Sequence, residues 1–250
     1  MDQLVETSSF EKRPIPTLMR PLHFALRTRG IIDCLAVALR DPDVFLLQVT
    51  LWRNGGLRGL YQFRRLRELS RLLSGRDVSV LEFGSGASTL LFAKRARIAV
   101  SVEESALWAN KLVGALDSAW WVRPSLRAVA KGQIRVRARR EWLASSGEWL
   151  SGYVLPADIV NCDWDVVYVD GPTNWPQQEP SLAKGVVALA NADVLELARL
   201  PNEIWVDGRI DTLRYLAGNL PSGWSVRSEM HLPRESRRLF HTQFFQHPAR

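Results

Sequence analysis

The spacing of apolar residues divides the chain into two stretches. Up to about residue 75 they recur at three- and four-residue steps, the period of a helix face: Ile31, Cys34, Leu35, Val37 and Ala38 form one such series. Asp41 or Asp43 stands where it could cap a second helix running through Phe45, Leu46, Val49 and Trp52, which Asn54-Gly55-Gly56 ends. Leu60, Phe63, Leu66, Leu69, Leu72 and Leu73 make a third stripe, with Arg64, Arg65, Arg67 and Arg71 largely on the other faces. Those arginines read as a solvated basic face or as a partner site. Residues 1–75 are thus expected to be a helical N-terminal extension, with residues 76–250 as the main domain.

From Val78 the period changes to short apolar runs separated by helical stretches, the pattern of strands and helices alternating around a parallel sheet. The runs predict strands at Val78–Phe83, Ile98–Val102, Ile134–Ala138, Val166–Asp170 and Glu203–Val206. Helices are expected over Thr89–Arg97, Ala106–Leu116, Ser181–Leu200 and about Thr212–Asn219. Trp224–Met230 and Arg238–Phe245 read as an antiparallel hairpin closing the sheet edge. In residues 134–140 (IRVRARR), Ile134, Val136 and Ala138 alternate with Arg135, Arg137 and Arg139. A central parallel strand, covered on both faces, could not tolerate that charge, so this one must lie at an edge. The arginines either protect the edge from aggregation or contact nucleic acid.

Composition changes this picture little. Apolar residues make up 46% and charged residues 24% of the 250, as in ordinary globular domains. The net charge of +7 and pI of about 9.9 fit a nucleic-acid or anionic-membrane partner without demanding one. Two cysteines, Cys34 and Cys162, build no disulfide framework, and no Cys or His cluster has zinc-site spacing. The polar N-terminus lacks the apolar core of a secretory signal, and apolar stretches such as Val44–Trp52 are far shorter than the ~20 residues that span a bilayer, so a cytoplasmic location is expected.

In an open α/β sheet, ligands bind beyond the carboxyl ends of the strands. Here those ends are acidic: LEFGSGAST (Leu81–Thr89), VEES (Val102–Ser105), YVDGP (Tyr168–Pro172) and WVDGRID (Trp205–Asp211). Glu82, Glu103, Asp170 and Asp207 should therefore surround one crevice suited to a cationic ligand. Gly84 and Gly86 let backbone N–H groups approach that ligand, and Ser88 or Thr89 can cap the following helix. The G-x-G spacing also occurs in dinucleotide-binding turns, but Thr89 replaces their third glycine and Glu82 would repel a pyrophosphate. A sulfonium and an ammonium group would be favoured by these acids, and a ligand carboxylate by the helix N-terminus.

Taken together, E-x-G-x-G after the first strand, an acid after the second and D-G-P after the fourth resemble the class I S-adenosylmethionine-dependent methyltransferases over roughly residues 78–209. The resemblance implies a three-layer Rossmann-like fold with a mostly parallel seven-stranded sheet, its third strand at an edge. It implies that Glu82, Gly84, Ser85 and Gly86 line the methionine part of the cofactor, with Ser88, Thr89 and Asp170 also in the site. Glu103 would hold the ribose hydroxyls, with Glu104 as the alternative if the turn shifts by one residue. Glu141 and Trp142 would lie near the adenine. Asp170 and Asp207 end neighbouring strands, as do the magnesium-holding acids of catechol-type O-methyltransferases, although Gly208 stands where that family has a second ligand. The pair would bind Mg²⁺, or Asp170 would act as a general base or orient the acceptor.

The segment from Gly171 to Ser181, with three prolines and Trp175, reads as a substrate-covering loop or as a variable surface loop. Arg209 and Asp211 either face the crevice or pair with each other. The expected activity is O-methylation of a small-molecule or saccharide acceptor. RNA ribose methylation, a non-catalytic nucleotide-binding or interaction protein of the same fold, and an NAD-dependent oxidoreductase are the other readings. The N-terminal helices offer a lid, a membrane-surface contact or a surface for homo-oligomers.

Overall fold

Helices α1 (Arg20–Arg40), α2 (Pro42–Arg53) and α3 (Tyr61–Leu72) come first, as the spacing predicts. In the computed structural model, residues 20–53, 61–172, 189–228 and 242–246 are described, with side chains for 30–53, 62–172 and 189–224. The main domain follows with β1 (Ser79–Phe83), α4 (Ala87–Arg95), β2 (Ile98–Glu103), α5 (Ala106–Ser118), α6 (Pro124–Gln133) and β3 (Ile134–Val136). Next come β4 (Arg139–Leu143), β5 (Trp149–Tyr153), α7 (Ala157–Val160), β6 (Val166–Val169), β7 (Ala190–Asn191), β8 (Glu203–Asp207), α8 (Ile210–Asn219), β9 (Ser225–Ser228) and β10 (Thr242–Gln246).

The main sheet has seven strands in the order β3-β2-β1-β6-β8-β10-β9. The first five are parallel, and β10 runs antiparallel to both β8 and β9. The terminal hairpin is therefore present, and β3 lies at the edge that its arginine alternation requires.

Alternation along the strands builds a core on each face. Val80, Val166, Tyr168 and Trp205 point to one side, where they pack with residues of α2–α6 such as Leu47, Phe63, Leu66, Leu90 and Leu112. Leu81, Phe83, Val167, Val169, Ile204 and Val206 point to the other, against Ile159, Val194, Leu213 and Leu216. One continuous core thus joins the N-terminal helices to the sheet. Asp41, almost fully buried, strengthens this junction by accepting from Ser70 of α3 and from Lys94 and Arg95 of α4.

Several elements differ from the sequence pattern. The strand expected over Ile134–Ala138 stops at Val136, because the Ala138 carbonyl accepts from Val154 N–H and the chain swings into a second, three-stranded sheet β4-β5-β7. Arg139 consequently leaves the edge and is buried between Glu104 and Glu141. Helix α4 starts at Ala87, two residues earlier than expected, because Thr89 is not its cap but its third residue. The helix expected over Ser181–Leu200 lies outside the described residues up to 188, and residues 189–200 contain no α-helix. There Ala190–Asn191 pairs with β5, and the Asp193 N–H donates to Asn191 Oδ1 at 3.1 Å, starting a short 3-10 turn. Side-chain bonding of this kind lets Asn and Asp compete with helix formation. Helix α6 went unread although Pro124 marks its first turn.

Candidate functional site

The carboxyl ends of β1, β2, β6 and β8 meet at one crevice, at the switch point between β1 and β6 from which the crossovers run in opposite directions. Two glycines form its floor. Gly84, after β1, has φ +90°, and a Cβ there would lie 2.8 Å from Gly171 N. A Cβ on Gly171 would lie 2.7 Å from Gly84 N and Cα and would also strike the Tyr153 hydroxyl. The two loops cross in backbone contact, which a side chain on either would prevent. The D-G pair after β6 is thereby explained by packing against the glycine turn.

Glu82 is wholly buried, and its carboxylate accepts from the hydroxyls of Ser88, Thr89 (2.7 Å) and Ser101. Burial pushes this carboxyl up to about 7, against the lowering effect of the three hydroxyls. Gly86 N–H donates to Thr89 Oγ1 at 3.1 Å. Glu82, Ser88 and Thr89 thus brace the glycine turn from within. This corrects the expectation that the Glu82 side chain lines the cofactor site, since it has no exposed surface.

Glu103 ends β2 and faces the turn. Its Oε2 accepts from Ser85 N–H at 3.0 Å and Ser85 Oγ at 2.9 Å, and its Oε1 accepts from Ser105 N–H at 2.9 Å. A carboxylate offers about four acceptor directions. Three are taken, leaving one on Oε1. Glu104 points elsewhere, 3.3 Å from Arg139, so of the two acids it is Glu103 that faces the glycine turn.

Glu141 and Trp142 are drawn into the second sheet. Glu141 accepts from Arg139 at 2.7 Å, and Trp142 packs with Leu150, Ala190 and Ala192 beneath the Arg140 guanidinium, 4.5 Å from the ring centroid. Both side chains have structural partners in that sheet. The cause is the early end of β3, which sends the chain into a strand instead of a loop.

Asp170 and Asp207 come together, but with a third group. Arg65 of α3, only 7% exposed, places Nη1 2.9 Å from Asp170 Oδ2 and also bonds Asp207 Oδ2. Burial alone would lower the Arg65 pKa, but the two carboxylates raise it further above the ordinary arginine value. Burial raises the Asp170 carboxyl, with Arg65 opposing and Asp207 adding to the rise. A fixed cation occupying the space between the carboxylates does not fit a divalent metal, and no group of three metal-ligating side chains gathers among the described residues. The expected magnesium pair is therefore replaced by an Asp–Arg–Asp bridge. The Asp170 side chain retains 27% exposure, so the crevice still presents a carboxylate.

Residues that escaped sequence reasoning support the D-G-P loop. Arg209 donates to the carbonyls of Asp170 and Pro172, settling its role as a loop clamp, whereas Asp211 lies 3.7 Å from Arg214. Asn191 Nδ2 donates to Gly171 O at 3.1 Å and to Asp193 Oδ2 at 2.8 Å. Asp193 Oδ1 accepts from Tyr153 N–H at 2.8 Å, and burial pushes this acid up to about 7. The Asn-x-Asp spacing of 191–193 was the signal that could have revealed this support. Arg65 carried no such mark among the arginines of α3. Most of the expected covering loop lies outside the described residues.

The main sheet is mostly parallel and seven-stranded, with β3 at one edge and antiparallel β10 inserted between β8 and β9, a Rossmann-like arrangement. Comparison with solved structures finds similar architectures at low identity. The O-methyltransferase TomG from Streptomyces achromogenes, involved in tomaymycin synthesis and solved in complex with SAM, is 16% identical. That match covers 86% of this chain and 93% of TomG, with a TM-score of 0.46. The 23S rRNA methyltransferase ErmE is 14% identical over 74% of this chain and 68% of its own, with a TM-score of 0.37. A dimethyladenosine transferase from Plasmodium falciparum is 11% identical over 73% and 60%, with a TM-score of 0.36. No family model and no curated protein sequence matches the chain.

Proposed function

We propose that the chain is an S-adenosylmethionine-dependent methyltransferase that acts on the hydroxyl oxygen of a small-molecule or saccharide acceptor. The supporting observation is the crossing of Gly84 and Gly171 at the switch point, flanked by the Glu103 and Asp170 carboxylates. The N-terminus of α4, into which the Gly84-Ser85-Gly86 turn leads, suits an amino-acid carboxylate. The remaining acceptor direction on Glu103 Oε1 suits one ribose hydroxyl, and a second would require the Ser85 hydroxyl to turn away. The sulfonium supplies an activated methyl group; the chain aligns the acceptor and removes its proton. Asp170 is the base of this reading, held in place by Arg65 while keeping part of its surface open.

Calorimetric titration with S-adenosylmethionine, its demethylated product and NAD tests the reading. Micromolar binding of the two sulfur ligands and none of NAD is expected. Glu103→Ala should weaken that binding at least tenfold, since charge-assisted hydrogen bonds contribute about 1.5–3 kcal/mol each. Absence of binding by both sulfur ligands would overturn the proposal and favour a non-catalytic protein of the same fold.

A further inference from the structure

Outside the crevice, a strongly charged feature lies on α6 and β3, at the opposite edge of the sheet from the hairpin. Arg123, Arg127 and Lys131 follow one another at four-residue steps, so they share a helix face and span about 12 Å along its axis. Arg135 and Arg137 on the adjoining edge continue the series. Arg135 donates to the carbonyls of Gly132 and Ile134, and Arg137 to that of Val136. Neither they nor Arg123 pairs with a carboxylate among the described residues. One acid enters the patch: Asp117, which accepts from Lys131 at 2.5 Å and whose carbonyl accepts from Arg127. Protection of a strand edge accounts for Arg135 and Arg137 but not for a cationic helix beside them.

An exposed aromatic group stands at the start of this stripe. Trp120, in the turn before α6, is 83% exposed and meets Trp121 edge-on at 5.9 Å between centroids. Trp121 is held by the core, which fixes the platform. At the other end, Arg137 N–H donates to Glu103 O at 2.9 Å, so the stripe runs up to the rim of the crevice. Cations spaced along a surface, with an exposed aromatic ring at one end, match a polymer of phosphates and stackable bases.

We propose that this face binds single-stranded RNA, with Arg123, Arg135 and Arg137 on phosphates and Trp120 stacked on a base. Duplex would satisfy the cations but offer no base face to Trp120. The assignment is independent of the cofactor reading, because it is tested without cofactor.

The test is fluorescence anisotropy of a labelled 20-nucleotide oligo(U) RNA with the full chain across a salt series. Micromolar binding at low salt is expected. Combined Arg123→Ala, Arg135→Ala and Arg137→Ala should weaken it at least tenfold and reduce the slope of log K against log salt by about 2, from about 0.7 per phosphate contact. Trp120→Ala should weaken it roughly five- to 150-fold, the effect of losing one stacked base. Arg199→Ala, an exposed cation paired with Asp163 away from the patch, should change nothing and controls for general basicity. Failure to bind at low salt, equal binding by the triple variant and wild type, or equally effective competition by duplex would each overturn the proposal. All the substituted side chains lie at the surface, so circular dichroism should show the variants folded.

Discussion

Glu82→Gln isolates the cost of burying an acid beneath the glycine turn. The carboxyl has no exposed surface and is raised from the usual 4.5 to about 7, chiefly by burial. Below about pH 4.5 both folded and unfolded chains carry the proton, and the stability is fully present. Between about 4.5 and 7 the unfolded chain releases it while the folded chain retains it, so stability falls as pH rises. The full loss above pH 7 corresponds to about 3 kcal/mol at ~1.4 kcal/mol per pKa unit. Asp193, raised to about 7 by burial, acts in the same direction. Asp41 is lowered from 3.8, and its opposite effect falls at more acidic pH. Urea unfolding followed by tryptophan fluorescence from pH 5 to 8 reads these effects directly. Wild type should lose stability across the range. Glu82→Gln, which keeps the shape and can still bond the hydroxyls of Ser88, Thr89 and Ser101, should lose about 2–3 kcal/mol less, because part of the window lies below pH 5. A wild type that gains stability toward pH 8, or a variant with the wild-type slope, would refute the reasoning.

Two further substitutions probe the crevice. Arg65→Leu should destabilise the fold by about 3 kcal/mol, the low end for a broken buried ion pair because Asp170 and Asp207 keep some exposure. That deficit should shrink at pH 5 as the stranded Asp170 carboxylate, already raised by burial and now without Arg65 to oppose the rise, takes up a proton; urea titrations giving the same deficit at pH 5 and 8 would exclude unpaired charge as its cause. Gly171→Ala should cost about 1–3 kcal/mol through overpacking, because its Cβ meets Gly84 N and Cα at 2.7 Å. Thermal unfolding would show this, and a variant as stable as wild type would mean that the two loops separate freely.

The parallel strands were legible because buried strands read as short continuous apolar runs, and the place of β3 followed from one charged face alone. The acids at the strand ends were legible for the same reason, since strand direction fixes which residues reach the crevice. What each acid does there was hidden. Glu82 and Glu103 both close a strand and share a face of the sheet, yet Glu82 lies level with Ser101 in a nest of hydroxyls beneath the turn, whereas Glu103, two residues beyond Ser101, reaches the turn itself. Arg65 sits among four arginines of α3, and nothing local distinguishes the one whose helix face meets Asp170 and Asp207. The second sheet depended on pairing between β5 and β7, residues forty apart in sequence, and only that contact turns Ala190–Asn191 into a strand. The sequence by itself determined periodicity, strand direction and the acidic rim, because these depend on residues within a few positions of one another. The tertiary structure decided which charges are neutralised and which remain open, because ion pairing and desolvation depend on groups brought together from distant parts of the chain.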